Sequence, residues 1–104
     1  MSIRRHNAMR DKNDGELRAA AERLGWYMVK IDTPADYLGC LKSIGRWYPV
    51  ELKTEDGDFT TTQKFFRQDC LIWRMPYLVW RTVDDVVAQT NAMRSSANAI
   101  EVGG

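Results

Sequence analysis

Between residues 26 and 53 the chain is cut into three short apolar runs, and segments with helical spacing precede and follow them. The runs are Trp26–Ile31 (WYMVKI), Asp36–Lys42 (DYLGCLK) and Arg46–Lys53 (RWYPVELK). They are rich in aromatic and β-branched residues and too short for packed helices, so they read as strands. Gly25 precedes the first, Asp32-Thr33-Pro34 separates the first two, and Ser43-Ile44-Gly45 is a tight turn between the last two. The second and third strands are therefore expected to pair antiparallel. Pro49 lies inside the third and cannot donate to a ladder, so an edge position or a bulge is expected there.

Helices flank these strands. Leu17, Ala20, Ala21 and Leu24 recur at helical spacing, which predicts a first helix from about Asn13 or Asp14 to Leu24, with Asp14 as N-cap and Gly25 ending it. After a loop from Glu55 to Phe59 built around Asp56-Gly57, a second helix is predicted to start after Thr60 or Thr61 and run to about Trp73. A threonine cap followed by Gln63 is close to capping-box chemistry. Phe65, Phe66, Asp69, Ile72 and Trp73 suggest a broad buried face. Pro76 stops the helix, Tyr77–Arg81 reads as a fourth strand, and Thr82 caps a last helix with Asp84 and Asp85 in its first turn. Val83, Val86, Val87, Thr90 and Met93 can face the core. Helix, three strands, helix, strand, helix is an α/β (α+β) arrangement, a small mixed sheet flanked by helices.

One domain accounts for all 104 residues. Residues 1–12 form a basic head with Arg4, Arg5, Arg10 and Lys12, and residues 95–104 form a small, polar tail; both are expected to be flexible. With 44% hydrophobic and 28% charged residues, the chain is neither disordered nor membrane-like. No apolar run approaches the ~20 residues that cross a bilayer. The basic start is not followed by an apolar segment, which sets the expectation of a cytoplasmic protein. Cys40 and Cys70 are the only cysteines and His6 the only histidine, so zinc sites, histidine cages and Ser/His/Asp triads are poorly supplied. A net charge of +1 gives little general attraction to nucleic acid, so such binding would rest on local groups. Lys64 and Arg67 on the second helix, with Arg10 and Lys12 in the head, are the candidates.

The chemistry concentrates in the third strand. Glu51 and Lys53 are two residues apart and so share a face, while Val50 and Leu52 face the other way. If the hairpin closes through Ser43-Ile44, Asp36 lies opposite Glu51 on that same face; a loop enlarged by Gly45 would shift the register by one and turn Asp36 away unless a bulge near Pro49 restored it. We adopt the register that brings Asp36, Glu51 and Lys53 together. Two close carboxylates repel unless a cation sits between them. Hard oxygen ligands suit Mg²⁺ or Mn²⁺, the Leu52 carbonyl being a further candidate ligand. The metal would supply a nucleophilic water, and Lys53 would orient that water or stabilise charge on a phosphate. The plainer reading of the same trio is a salt-bridge ladder between two surface strands.

Asp36 followed by Glu51-Leu52-Lys53 resembles the PD-(D/E)XK nuclease superfamily. The stretch PVELKTEDGDFTTTQKFF resembles small stand-alone nucleases of the VRR-NUC type, many of them from phages. One departure is that Ala35 precedes the aspartate, with Pro34 one position earlier. The resemblance implies a restriction-endonuclease-like αβββαβ core, a metal-dependent deoxyribonuclease acting on branched or otherwise structured DNA, and a homodimer. It further implies Gln63 as a catalytic residue and Glu16, in the first helix, as a metal ligand. A phage-encoded member would act in host cytoplasm. The alternative is a nucleic-acid-binding or assembly module on a nuclease scaffold that no longer cleaves.

Overall fold

The computed structural model describes the backbone of residues 2–103 and the side chains of residues 12–96. Helix α1 (Ser2–Arg23) leads into strands β1 (Trp26–Lys30), β2 (Tyr37–Leu41) and β3 (Arg46–Leu52); α2 (Thr61–Ile72), β4 (Leu78–Trp80) and α3 (Val83–Gly103) follow. The strands form one mixed sheet in the order β1-β2-β3-β4, antiparallel except for the β3–β4 pair. This is the α+β arrangement expected from the sequence.

Tight turns and one proline set the sheet's register. Tyr37 pairs with Val50 and Leu41 with Arg46, so the hairpin closes through Ser43-Ile44. Gly45 supplies the left-handed residue of that turn, with φ 76°, and its N–H bonds the Leu41 carbonyl. Gly25 ends α1 in the same region, with φ 99°. Pro49 pairs with Leu38 on the β2 side, and β4 begins opposite Val50, one residue later. The missing N–H of Pro49 therefore points past the end of β4, where no ladder bond is lost, and no bulge is needed.

Alternation gives the sheet two unlike faces. Trp26, Met28, Tyr37, Leu41, Val50, Leu52, Leu78 and Trp80 are buried on one face. They pack with Leu17 and Ala21 of α1 and Val86 of α3. Tyr27 and Trp47 lie on the opposite face as an exposed edge-to-face pair. Asp36, Glu51 and Lys53 belong to that second face, across which α2 runs.

Four sequence expectations change. The first helix starts at Ser2, so Asp14 lies in its interior and is not an N-cap. The last helix runs on to Gly103 instead of ending near residue 95. Helix α2 does not bury the broad face its apolar residues suggested: Cys70 is its buried residue, while Phe65, Ile72 and Trp73 are exposed, Trp73 at 72%. The helix reaches the sheet through Gln63, which bonds Glu51 and Lys53, and leaves Phe65, Leu71 and Ile72 outward. Val83 and Val87 are likewise exposed, whereas Val86 and Thr90 are buried and Met93 packs on the core.

Candidate active site

The β2–β3 hairpin brings the charged trio together. Continuing its register one pair beyond Tyr37–Val50 sets Asp36 opposite Glu51. The Asp36 carboxylate is also held from β3, where Oδ2 accepts the Leu52 N–H at 2.9 Å. The N–H of Lys53 goes the other way, to the Trp80 carbonyl of β4. By strand alternation the Leu52 carbonyl therefore faces the side where Asp36 lies. Asp36, Glu51 and Lys53 are all buried, Glu51 with no exposed surface at all. Such burial separates the trio from a solvated salt-bridge ladder.

Gln63 completes the arrangement from α2. Its Oε1 accepts from Lys53 Nζ at 2.6 Å and from the Thr60 N–H at 2.9 Å. Its Nε2 donates to Glu51 Oε1 at 2.6 Å. Thr60 Oγ1 accepts the Gln63 N–H in return, so the capping box expected from the sequence is present. One amide thereby caps a helix and ties a carboxylate to an ammonium.

The electrostatics follow from burial and crowding. Loss of solvent raises the Glu51 pKa to about 8, and the neighbouring Asp36 carboxylate pushes in the same direction. Lys53 and a hydrogen bond from Tyr77 partly oppose the rise. The Tyr77 hydroxyl donates to Glu51 Oε2 at 3.3 Å, and its own pKa is raised by burial and by Glu51. Without a divalent cation, burial and Asp36 favour the protonated form of Glu51. A divalent cation between the two carboxylates would displace that proton, and the donor set fits one: two buried carboxylate groups and a backbone carbonyl. No cluster of three or more Asp, Glu, His or Cys side chains occurs among the described residues, so water would complete the shell of a hard cation.

The other sequence candidates lie further out. Glu16 is exposed on α1 and does not join Asp36 and Glu51 in a three-acid cluster. Asn13, three residues earlier on the same face of α1, is the residue that reaches the site: its Nδ2 donates to the Lys53 carbonyl at 2.9 Å. Lys64 is exposed and 4.0 Å from Asp58, and Lys12 is exposed. Arg67 is exposed over the Phe59 ring, 4.7 Å from its centroid. The Arg10 side chain lies outside the described residues.

Sequence reasoning missed Tyr77, Phe59 and the bonding role of Arg81. Arg81 Nη1 donates to the carbonyls of Thr54 at 2.8 Å, Gly57 at 2.7 Å and Glu55 at 3.3 Å, so the end of β4 holds the loop that follows Lys53. The sequence carried one usable signal for this, an arginine where the fourth strand ends. Its partners are backbone carbonyls more than twenty residues away, which no side-chain pattern marks.

No family model and no curated protein matches the sequence. A solved structure described as "VRR_NUC domain" superposes with a TM-score of 0.56, covering 73% of this chain and 91% of that one at 20% sequence identity. No helix among the described residues is long and apolar enough to cross a membrane. The αβββαβ order and this superposition together give the chain the fold of the VRR_NUC domain structure.

Proposed function

We propose that this protein is a metal-dependent nuclease that hydrolyses phosphodiester bonds of DNA. One observation carries the reading: two buried carboxylates, Asp36 and Glu51, converge beside a lysine whose ammonium is fixed by Gln63. Keeping three ionisable groups out of water costs stability, and nothing in the packing of the fold calls for them. The VRR_NUC fold supports the same reading.

Asp36, Glu51 and the Leu52 carbonyl are the ligands for Mg²⁺ or Mn²⁺. Glu16, on the Asn13 face of α1, is the candidate for a further contact through water. The ion supplies a water of lowered pKa and a Lewis acid at the phosphoryl oxygen. Lys53 stabilises negative charge on the phosphate as it develops. Gln63 keeps that ammonium beside Glu51, and Tyr77 holds the other Glu51 oxygen, so the carboxylate is aimed before substrate arrives. Lys64, Arg67, Arg10 and Lys12 would meet the backbone of the strand.

Selectivity for branched DNA and assembly as a homodimer belong to this proposal through the resemblance. The exposed apolar side of α2, with Leu71 at 81% exposure, would suit a second subunit. The test is to incubate the protein with branched, flapped and plain duplex DNA in Mg²⁺, Mn²⁺ or EDTA. Cutting that requires a divalent metal is expected, fastest on a branched substrate. Absence of cutting on every substrate, with DNA binding retained, would select the non-cleaving module instead.

A further inference from the structure

We propose that the cleft between α3 and the loop joining β3 to α2, walled by Phe59, Arg67, Arg81 and Gln89, binds a phosphate group of a nucleic-acid strand beside the one met by Lys53. The proposal rests on the nucleic-acid reading above and adds a second contact point to it. The cleft has a volume of about 490 Å³, with Ala88 and Asp85 also lining it.

Charge is the first argument. Lys53 Nζ, Arg67 Cζ and Arg81 Cζ lie 5.3, 4.7 and 5.8 Å from the centroid of the Phe59 ring, so three cations meet on one aromatic residue. Lys53 has Asp36 and Glu51 on its other side. Arg67 makes no hydrogen bond or ion pair among the described residues. Arg81 spends Nη1 on neutral carbonyls, which leave its charge uncompensated. Asp85 is the one carboxylate in the wall. Its Oδ2 already accepts the N–H groups of Arg81 and Thr82, at 2.8 and 3.1 Å, where it caps α3. Two guanidinium groups lining a cleft whose one carboxylate is already engaged by backbone N–H groups suit an anion with several oxygens, and phosphate matches their fork geometry.

Position is the second argument. Phe59 is the shared wall: its ring touches Lys53 on one side and lines the cleft with Arg67 and Arg81. Arg67 also lines a groove with Tyr77, whose hydroxyl bonds Glu51. A strand passing Phe59 would meet Lys53 on one side of the ring and the two guanidinium groups around it. The phosphate could be an internal phosphodiester or a terminal monoester, and the cleft chemistry is the same for both.

The test is binding of a short fluorescein-labelled oligothymidine, with or without a 5′-phosphate, in EDTA so that no cutting occurs. Salt dependence is measured for wild type, Arg67→Met and Gln89→Glu. Each variant should bind about tenfold more weakly, and Arg67→Met should reduce the salt slope by about 0.7, the share of one single-strand phosphate contact. Loss confined to the 5′-phosphorylated probe would assign a terminal phosphate; equal loss on both probes would assign an internal one. Affinity and slope unchanged in both variants would overturn the cleft site even if wild type cuts DNA. Weakened binding by the variants of a wild type that cuts nothing would support the cleft and defeat only the nuclease reading. Failure of wild type to bind either probe would overturn the cleft site, while the cleavage assay still judges the nuclease separately.

Discussion

Lys53 is anchored by Gln63, 2.6 Å from Nζ to Oε1, and so takes its position from helix α2 as well as from its own strand. The same oxygen accepts the Thr60 N–H that caps α2. Helix start and lysine position are therefore one structural fact. Gln63→Ala is expected to lower the cleavage rate about 10²-fold, the order of loss that follows small misplacement of a catalytic group. Thr60→Ala should cost about 1 kcal/mol of stability through the lost cap and slow cutting by less. Single-turnover rates and thermal melts of the two variants separate these effects; equal rates for Gln63→Ala and wild type would remove Gln63 from the site.

Glu51 makes stability depend on pH in an unusual direction. Its pKa is raised from 4.5 to about 8 in the folded protein by burial and by Asp36, against the opposing Lys53 and Tyr77. An acid raised on folding stabilises fully below its unfolded pKa, and that contribution is lost as pH rises through the folded value. In EDTA, the melting temperature should fall as pH rises from about 4.5 to about 8. Glu51→Gln should flatten the profile, and Mn²⁺ should restore wild-type stability at pH 8, because the ion replaces the proton. A wild-type curve in EDTA that rises over this window would contradict the buried, crowded carboxyl.

The core carries a prediction of its own. Trp26 Nε1 donates to Thr90 Oγ1 at 2.9 Å, and both residues are buried. Thr90→Val preserves shape and removes the acceptor, leaving an indole N–H unsatisfied at a cost of ~1–3 kcal/mol. Thr90→Ser keeps the oxygen and should lose less. Urea denaturation of the pair tests the bond without touching the active site.

Gly39 sits in β2 where a side chain has no room. A Cβ there would stand 3.0 Å from Met28 Sδ and 3.1 Å from both Trp26 Cε3 and Val50 Cγ2. Methionine can move, but the indole and the β-branched valine cannot follow. Gly39→Ala is expected to destabilise by ~1–3 kcal/mol, read as a shift in the denaturation midpoint.

The parts of the site that were legible in the sequence are those governed by short-range rules. A turn centred on Ser43-Ile44 sets the register, and register alone places Asp36 across from Glu51. The side-chain period of two puts Glu51 and Lys53 on one face, and Thr60 with Gln63 announces its own capping box. Long-range geometry was not legible. Arg81 bonds carbonyls of a loop far away in sequence, and Tyr77 reaches Glu51 from beyond α2. Helix α2 misled because its apolar pattern reads as core wherever it is met, while burial depends on what packs against it: Leu71, Ile72 and Trp73 face outward. Asp14 misled because an acidic residue just before an apolar helical stripe looks like a cap even inside a longer helix.

In the proposed chemistry, Lys53 acts beside a cation held by Asp36 and Glu51. The most direct test is single-turnover cleavage of a branched DNA in Mn²⁺ by wild type, Lys53→Met and Asp36→Asn, with melting curves showing all three folded. Cutting by wild type that EDTA stops is expected, with a loss of at least about 10²-fold in each variant. Metal-dependent cutting that survives both substitutions would place the chemistry elsewhere on the protein and contradict the site described above.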